Sequence, residues 1–296
     1  MRRRARRMTG WALWARAVVA GLMGCALGVM LVPATAQAAS TPGVTSSSIT
    51  IGATVPLTGP AAPGYDEIAP AMNAVFDWAN AHGGVDGRKI HYTYLDDGYN
   101  PANTATLTLK MVLQDNIFAD VGSLGTPTQS SVQPFLNQQK VPQLFIESGC
   151  NCWNNSKYPL SLGWQPPYTI DGKILGAYIK ANFAGKKIGY LSQADEFGQD
   201  VVKGLDMEIP KSSVVSRQTY DASTLSGALS NQMAALKAAG AQVVVLATIP
   251  AATALAMLPA AVIGYSPQYV VDGDHSLRKS EGDAAEAVAS WLGDLR

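Results

Sequence analysis

The chain has 296 residues, three cysteines and 22 basic against 22 acidic side chains, enough for two lobes of ordinary size. The balance hides an asymmetry. The first 38 residues hold six arginines and no acid, so the remainder carries 16 basic against 22 acidic groups, which argues against nucleic acid and against an anionic membrane surface as partners.

Residues 1–38 read as an export signal. Arg2, Arg3, Arg4, Arg6 and Arg7 open it, residues 17–32 are apolar or glycine, and Ala36-Gln37-Ala38 offers a small-residue cleavage pattern with the cut after Ala38. Two alternatives stay open. Leu22-Met23-Gly24-Cys25 is a looser match to a lipoprotein box that would anchor the chain at Cys25, and residues 11–32, interrupted by Arg16, have the length of a membrane anchor. The Ala38 site fits better, so the chain is expected in the periplasm, at the cell surface or outside the cell.

Residues 49–55 alternate and predict a strand, and the proline- and glycine-rich 56–64 cannot continue it. Residues 70–82 predict a helix with Ala71, Ala74, Val75 and Trp78 on its apolar face. Strands at 89–95, 117–121 and 141–146 then alternate with helices starting at Asn100-Pro101 and spanning 127–138. Strand-helix alternation of this kind implies a parallel sheet. Residues 147–158 form an irregular loop, 160–164 are short and extended, and Gln165-Pro166-Pro167 marks the crossing into a second lobe. There helices at 168–181, 198–207, 225–239 and 251–263 alternate with strands at 187–191, 214–220, 243–247 and 269–271. The strand 243–247 is the most apolar and is expected to be central. The fold class is therefore α/β, two Rossmann-like lobes with parallel sheets, over 39–164 and 165–273, with 274–296 as a divergent tail.

Reaction chemistry is not in evidence. No Gly-x-Ser-x-Gly elbow, phosphate loop or dinucleotide fingerprint occurs, and His82, His91 and His275 lack metal-ligand spacing. Asp96-Asp97 sits at a strand end, where a structural or solvated role is expected. No catalytic residue, metal or cofactor is assigned. The informative stretch is 118–129: a buried strand, a turn with Gly122 and Gly125, and a helix start at Pro127. Thr126 stands where an N-cap belongs. The first N–H groups of a helix lack internal partners and carry the positive dipole end, so a carboxylate fits there, with the hydroxyls of Ser123, Thr126 and Thr128 close by. An ordinary strand-to-helix turn is the plainer reading of the same residues. Cys150-Asn151-Cys152 allows either a strained bridge or two free thiols.

A run of motifs carries a family resemblance. Residues 51–60 followed by Tyr65 resemble the opening of the branched-chain amino-acid-binding proteins, type I periplasmic binding proteins that serve ATP-driven importers. Residues 80–90 are similar to that family's signature, Asp96-Asp97-Gly98-Tyr99-Asn100-Pro101 follows in place, and Phe197-Gly198 matches its aromatic-glycine step. The resemblance implies an extracytoplasmic solute-binding protein. It implies a small amino acid or related carboxylate as ligand, a membrane permease as partner, and no turnover. Carried over by position, Ser123, Thr126, Thr128, Ser148 and Gly149 would hold the carboxylate. Tyr65 would pack on the ligand, and Tyr168 would line the hinge side. Phe197 stands where a tyrosine is usual, and Asp272 or Asp274 where an acid meets the ligand's ammonium. A ligand-sensing module of the same fold, an extracellular hydrolase and a non-functional fragment are the rivals. Relatives continue beyond the strand 269–271 and cross back, whereas residues 281–292 here read as one amphipathic helix with Ala284, Ala287, Val288 and Trp291 on a face. A C-terminally shortened member is the expectation.

Overall fold

A computed structural model describes residues 41–271. The signal with Ala38 and Cys25, the acids Asp272 and Asp274, and the tail helix at 281–292 lie outside the described residues. Five strands, β1 (Ser48–Val55), β2 (Lys89–Asp96), β3 (Ala119–Val121), β4 (Gln143–Ile146) and β5 (Ser161–Gly163), form a sheet in the order β2-β1-β3-β4-β5. Every pairing in it is parallel, β1 and β2 running in register from Ser48 opposite Lys89 to Val55 opposite Asp96. The connecting helices are α1 (Ile68–Ala81), α2 (Pro101–Leu113) and α3 (Thr126–Gln138).

The chain then builds a second parallel sheet, ordered β7-β6-β8-β9, from β6 (Ile188–Gln193), β7 (Val214–Tyr220), β8 (Val243–Ala247) and β9 (Gln268–Val271). Its helices are α4 (Tyr168–Asn182), α5 (Glu196–Glu208), α6 (Ser230–Ala238) and α7 (Pro250–Val262). β8 is buried along its whole length and paired on both edges, as its unbroken apolar run requires. One apolar cluster takes in Ala53 and Val55 of β1, Tyr99, and Leu191, Tyr220 and Ala252 from the second sheet's side, so the two sheets meet across packed side chains.

Four local expectations change. The residues foreseen as the packing face of α1 look outward, Val75 and Trp78 being 61% and 64% exposed. Met72 and Phe76 pack on Ile51, Val121 and Tyr92 instead, the Phe76 and Tyr92 rings meeting edge to face at 5.1 Å. A helical period fits either face, and the longer side chains fill the space above the sheet better than the alanines. α5 begins two residues early, because Asp195 caps it by accepting from the N–H groups of Phe197 and Gly198 at 3.0 and 3.3 Å. α6 begins only at Ser230, since the N–H of Leu229 is drawn onto the carbonyl of Leu255 at 2.8 Å. Residues 160–164 supply β5, an edge strand paired to β4, where the sequence suggested only an extended link.

α4 and α5 touch backbone to backbone. A Cβ on Gly172 would lie 2.1 Å from the carbonyl oxygen of Val201, and one on Gly204 2.2 Å from that of Thr169. These glycines bring α4 into contact with α5, whose cap Asp195 follows Gln193 at the end of β6.

Candidate functional site

β3 delivers the chain to the site, and Gly125 turns it into α3. Gly125 has φ +109° and is itself the N-cap; a Cβ there would sit 2.4 Å from Thr128 Oγ1. Thr126 is therefore the first residue of the helix, whereas the sequence pointed to it as the cap. Glycine takes the cap position because only glycine adopts that backbone at no steric cost. The N–H groups of Thr126 and Thr128 stand in the first turn, where a helix supplies no acceptor of its own.

The hydroxyls differ in what they have left to give. Ser123 Oγ accepts from the N–H of Thr54 at 2.9 Å and donates to the carboxylate of Asp120. Thr128 Oγ1 donates to the carbonyl of Leu124 at 2.6 Å. Both protons are thus committed inside the protein. Thr126 Oγ1 and Ser148 Oγ bond each other at 2.7 Å, and Ser148 also accepts from the N–H of Cys150 at 3.2 Å. Two hydroxyls sharing one hydrogen bond keep one proton in hand. Both residues are almost fully buried, at 2% and 1% exposure.

Gly149 follows. Its carbonyl accepts from the N–H of Tyr168 at 2.7 Å, and a Cβ on it would lie 2.4 Å from the carbonyl oxygen of Pro166. The Tyr168 ring packs on Phe197, centroids 4.7 Å apart, within the second sheet's core. Tyr65 is half-buried against the apolar cluster shared by both sheets. The Cys150 and Cys152 sulfurs are bonded, and Asn151 between them reaches α5, its N–H and side-chain amide each donating to Asp200 at 2.8 Å.

Between the two sheets lies a cavity of about 130 Å³ lined by Tyr99 and Pro127 on one side and Gln193, Asp195 and Asp221 on the other. It reaches α3 at Pro127 and is not lined by the Thr126–Ser148 pair, so this cavity and the hydroxyl pair adjoin but do not coincide. Ordinary ligand pockets run to roughly 300–1,000 Å³. Tyr99, Gln193 and Tyr220 were not singled out by residue-by-residue reading; the one sequence signal was Tyr99's place in the turn after the second strand.

Three acids are structural. Asp96 Oδ1 accepts from the N–H groups of Leu57 and Thr58 at 3.0 and 3.1 Å and fixes the loop after β1. Asp97 and Asp120 are buried, which pushes their carboxyls up to about 6 and about 7 respectively. The folded chain therefore holds protons that the unfolded chain, with ordinary carboxylates near 3.9, has released, and stability falls as pH rises from about 4 to about 7. Asp120→Asn removes one of the two groups and should flatten that fall by up to about 1.4 kcal/mol per pH unit. Denaturant melts at low and neutral pH check this; an unaltered slope contradicts it.

Among the described residues no helix is long and apolar enough to cross a membrane, and no cluster of His, Cys, Asp and Glu is placed to hold a metal. A periplasmic binding protein family model matches residues 48–293. A search of curated protein sequences returns no match. Among solved structures, a fatty acid ABC transporter substrate-binding protein from Thermomonospora curvata is 22% identical with a TM-score of 0.69, over 78% of this chain and 59% of its own. A substrate-binding periplasmic protein from Ralstonia solanacearum is 19% identical with a TM-score of 0.67, over 75% of this chain and 63% of its own. A "possible leucine/isoleucine/valine-binding protein" from Rhodopirellula baltica SH 1 is 22% identical with a TM-score of 0.62, over 79% of this chain and 64% of its own. The chain thus spans about three fifths of the length of these structures, and the likeness is one of fold.

Proposed function

The chain belongs to the periplasmic binding protein family, and from that premise we propose that it captures a small amino acid or related carboxylate between two lobes and presents it to the membrane permease of an ATP-driven importer. In this reading residues 39–164 form the first lobe and 165–273 the second, the signal is cleaved near Ala38, and the protein works outside the cytoplasm.

The observation that carries the proposal is the Thr126–Ser148 pair at the α3 N-terminus, with one hydroxyl proton in hand beside first-turn N–H groups. Those donors suit a carboxylate, and the dipole of α3 adds to them. Ser123 and Thr128 serve this site by holding its backbone, and Gly149 lets Tyr168 close beside it. Tyr65 and Phe197 supply apolar walls for the ligand's body. Asp274 remains the proposed partner of an α-ammonium. The ligands by which two of the similar structures are named, a fatty acid and leucine, isoleucine or valine, share a carboxylate on an apolar body, which supports the same class here.

Binding of this kind is stoichiometric and reversible, by closure of the lobes on the ligand. Native mass spectrometry of the freshly exported chain tests it. The expected result is a retained small acid, one per chain, released on mild denaturation. A ligand without an acidic group would overturn the assignment.

A further inference from the structure

We propose that Tyr99 fixes how far the two lobes close and how large a ligand they accept; the size claim rests on the binding function above, the closure claim on the geometry alone. Tyr99 lies in the turn between β2 and α2 with φ +59°, a backbone that bulky residues rarely adopt. Its N–H donates to Asp97 Oδ1 at 2.9 Å, and Asp97 Oδ2 accepts from Thr104 Oγ1 at 2.8 Å, so a buried acid pins this conformation to the start of α2. Strained positions persist where their surroundings determine them, and they gather at ligand clamps.

The side chain spends that strain on two contacts. Its ring lies over the α3 N-cap: a Cβ on Gly125 would come within 2.6 Å of Tyr99 Cε2. Its phenol oxygen crosses to the other sheet and accepts from Gln193 Nε2 at 3.3 Å. Gln193 Oε1 accepts from the Tyr220 hydroxyl at 2.8 Å, whose oxygen accepts from the N–H of Ile249 at 3.0 Å. One unbroken line of hydrogen bonds thus ties the turn after β2 to the ends of β6 and β7 and to the residue before α7. Tyr99 and Gln193 are 4% and 2% exposed. Both also wall the 130 Å³ cavity, so the ring occupies space that a larger ligand would need. The phenol accepts in the bond to Gln193, which leaves its own proton for an acceptor in the cavity.

The test uses the full chain with Tyr99→Phe and Tyr99→Ala. Small-angle scattering without ligand reads closure. Tyr99→Phe keeps the ring and loses the bond, and is expected to shift the chain to a larger radius of gyration. A radius unchanged from the parent overturns the closure claim, whether or not any ligand is found. Calorimetry with acetate, L-leucine and L-phenylalanine reads size. Tyr99→Ala is expected to raise phenylalanine affinity at least tenfold relative to the smallest probe that binds, while Tyr99→Phe keeps the parent's ranking. An unchanged ranking in Tyr99→Ala overturns the size claim. Failure of all three probes with both parent and Tyr99→Ala would count against the binding function and against the size claim built on it, while scattering still decides the closure claim.

Discussion

Thr126→Val combined with Ser148→Ala should weaken ligand binding by about 1.5–3 kcal/mol, roughly ten- to a hundred-fold. The two hydroxyls share one hydrogen bond at 2.7 Å and keep one proton between them. Removing either leaves the other free to donate in its place, so each single variant should lose less than half of that amount. The pair is expected to be non-additive, which a double-mutant cycle measures directly. Valine keeps the shape of threonine at the first residue of α3, and the N–H groups of the first turn stay where they are. Folding should suffer by about 1–3 kcal/mol, since the double variant removes this bond and also the one from the N–H of Cys150 to Ser148 Oγ. Additive single effects, or a double variant that binds like the parent, would remove this pair from the site.

Gly172→Ala should destabilise the fold by about 3 kcal/mol, at the upper end of what overpacking costs. The new methyl would stand 2.1 Å from the carbonyl oxygen of Val201 and 2.9 Å from its carbonyl carbon, both backbone atoms of a helix that cannot rotate away. α4 and α5 would have to separate, and Gly204 on the facing helix could not compensate, since its own Cβ position lies 2.6 Å from the N of Lys173. Asp195 caps α5 and Gln193 ends the strand β6 just before it, so separation should also disturb the cavity wall. Gly227→Ala is the control: no atom lies within 4 Å of the added group, and the change should fall within about 0.5 kcal/mol. Equal urea midpoints for the two variants would contradict the close helix contact.

The sequence exposes some of this and hides the rest for identifiable reasons. Strand-helix alternation predicts two parallel sheets because apolar period, glycine stops and proline starts are local signals, and both sheets are found. The buried run of β8 announces its own central place. The α1 face is misread because alanines at 71 and 74 suit either side of a helix, whereas the choice is made by Met72 and Phe76 against a sheet the local pattern does not display. At the site, the glycine turn and the hydroxyl cluster are legible, since residue types alone suggest an anion-binding helix start. Which hydroxyl keeps its proton is not. That depends on Asp120 under Ser123 and on the Leu124 carbonyl above Thr128, directions of hydrogen bonds that no spacing encodes. Tyr99 is hidden for a further reason: its partner, Gln193, is 94 residues away, and its ring reaches Gly125 only through a left-handed backbone.

The central claim is that a carboxylate is held at the α3 start by Thr126, Ser148 and the first-turn N–H groups. Calorimetry of the purified protein with L-leucine, L-alanine and short fatty acids, each set against its own neutral amide, tests it most directly. Saturable one-to-one binding of at least one acid is expected, weakened tenfold or more when the carboxylate becomes an amide and weakened likewise by the Thr126→Val, Ser148→Ala double variant. Equal affinity for an acid and its amide, or binding that the double variant leaves intact, would contradict it.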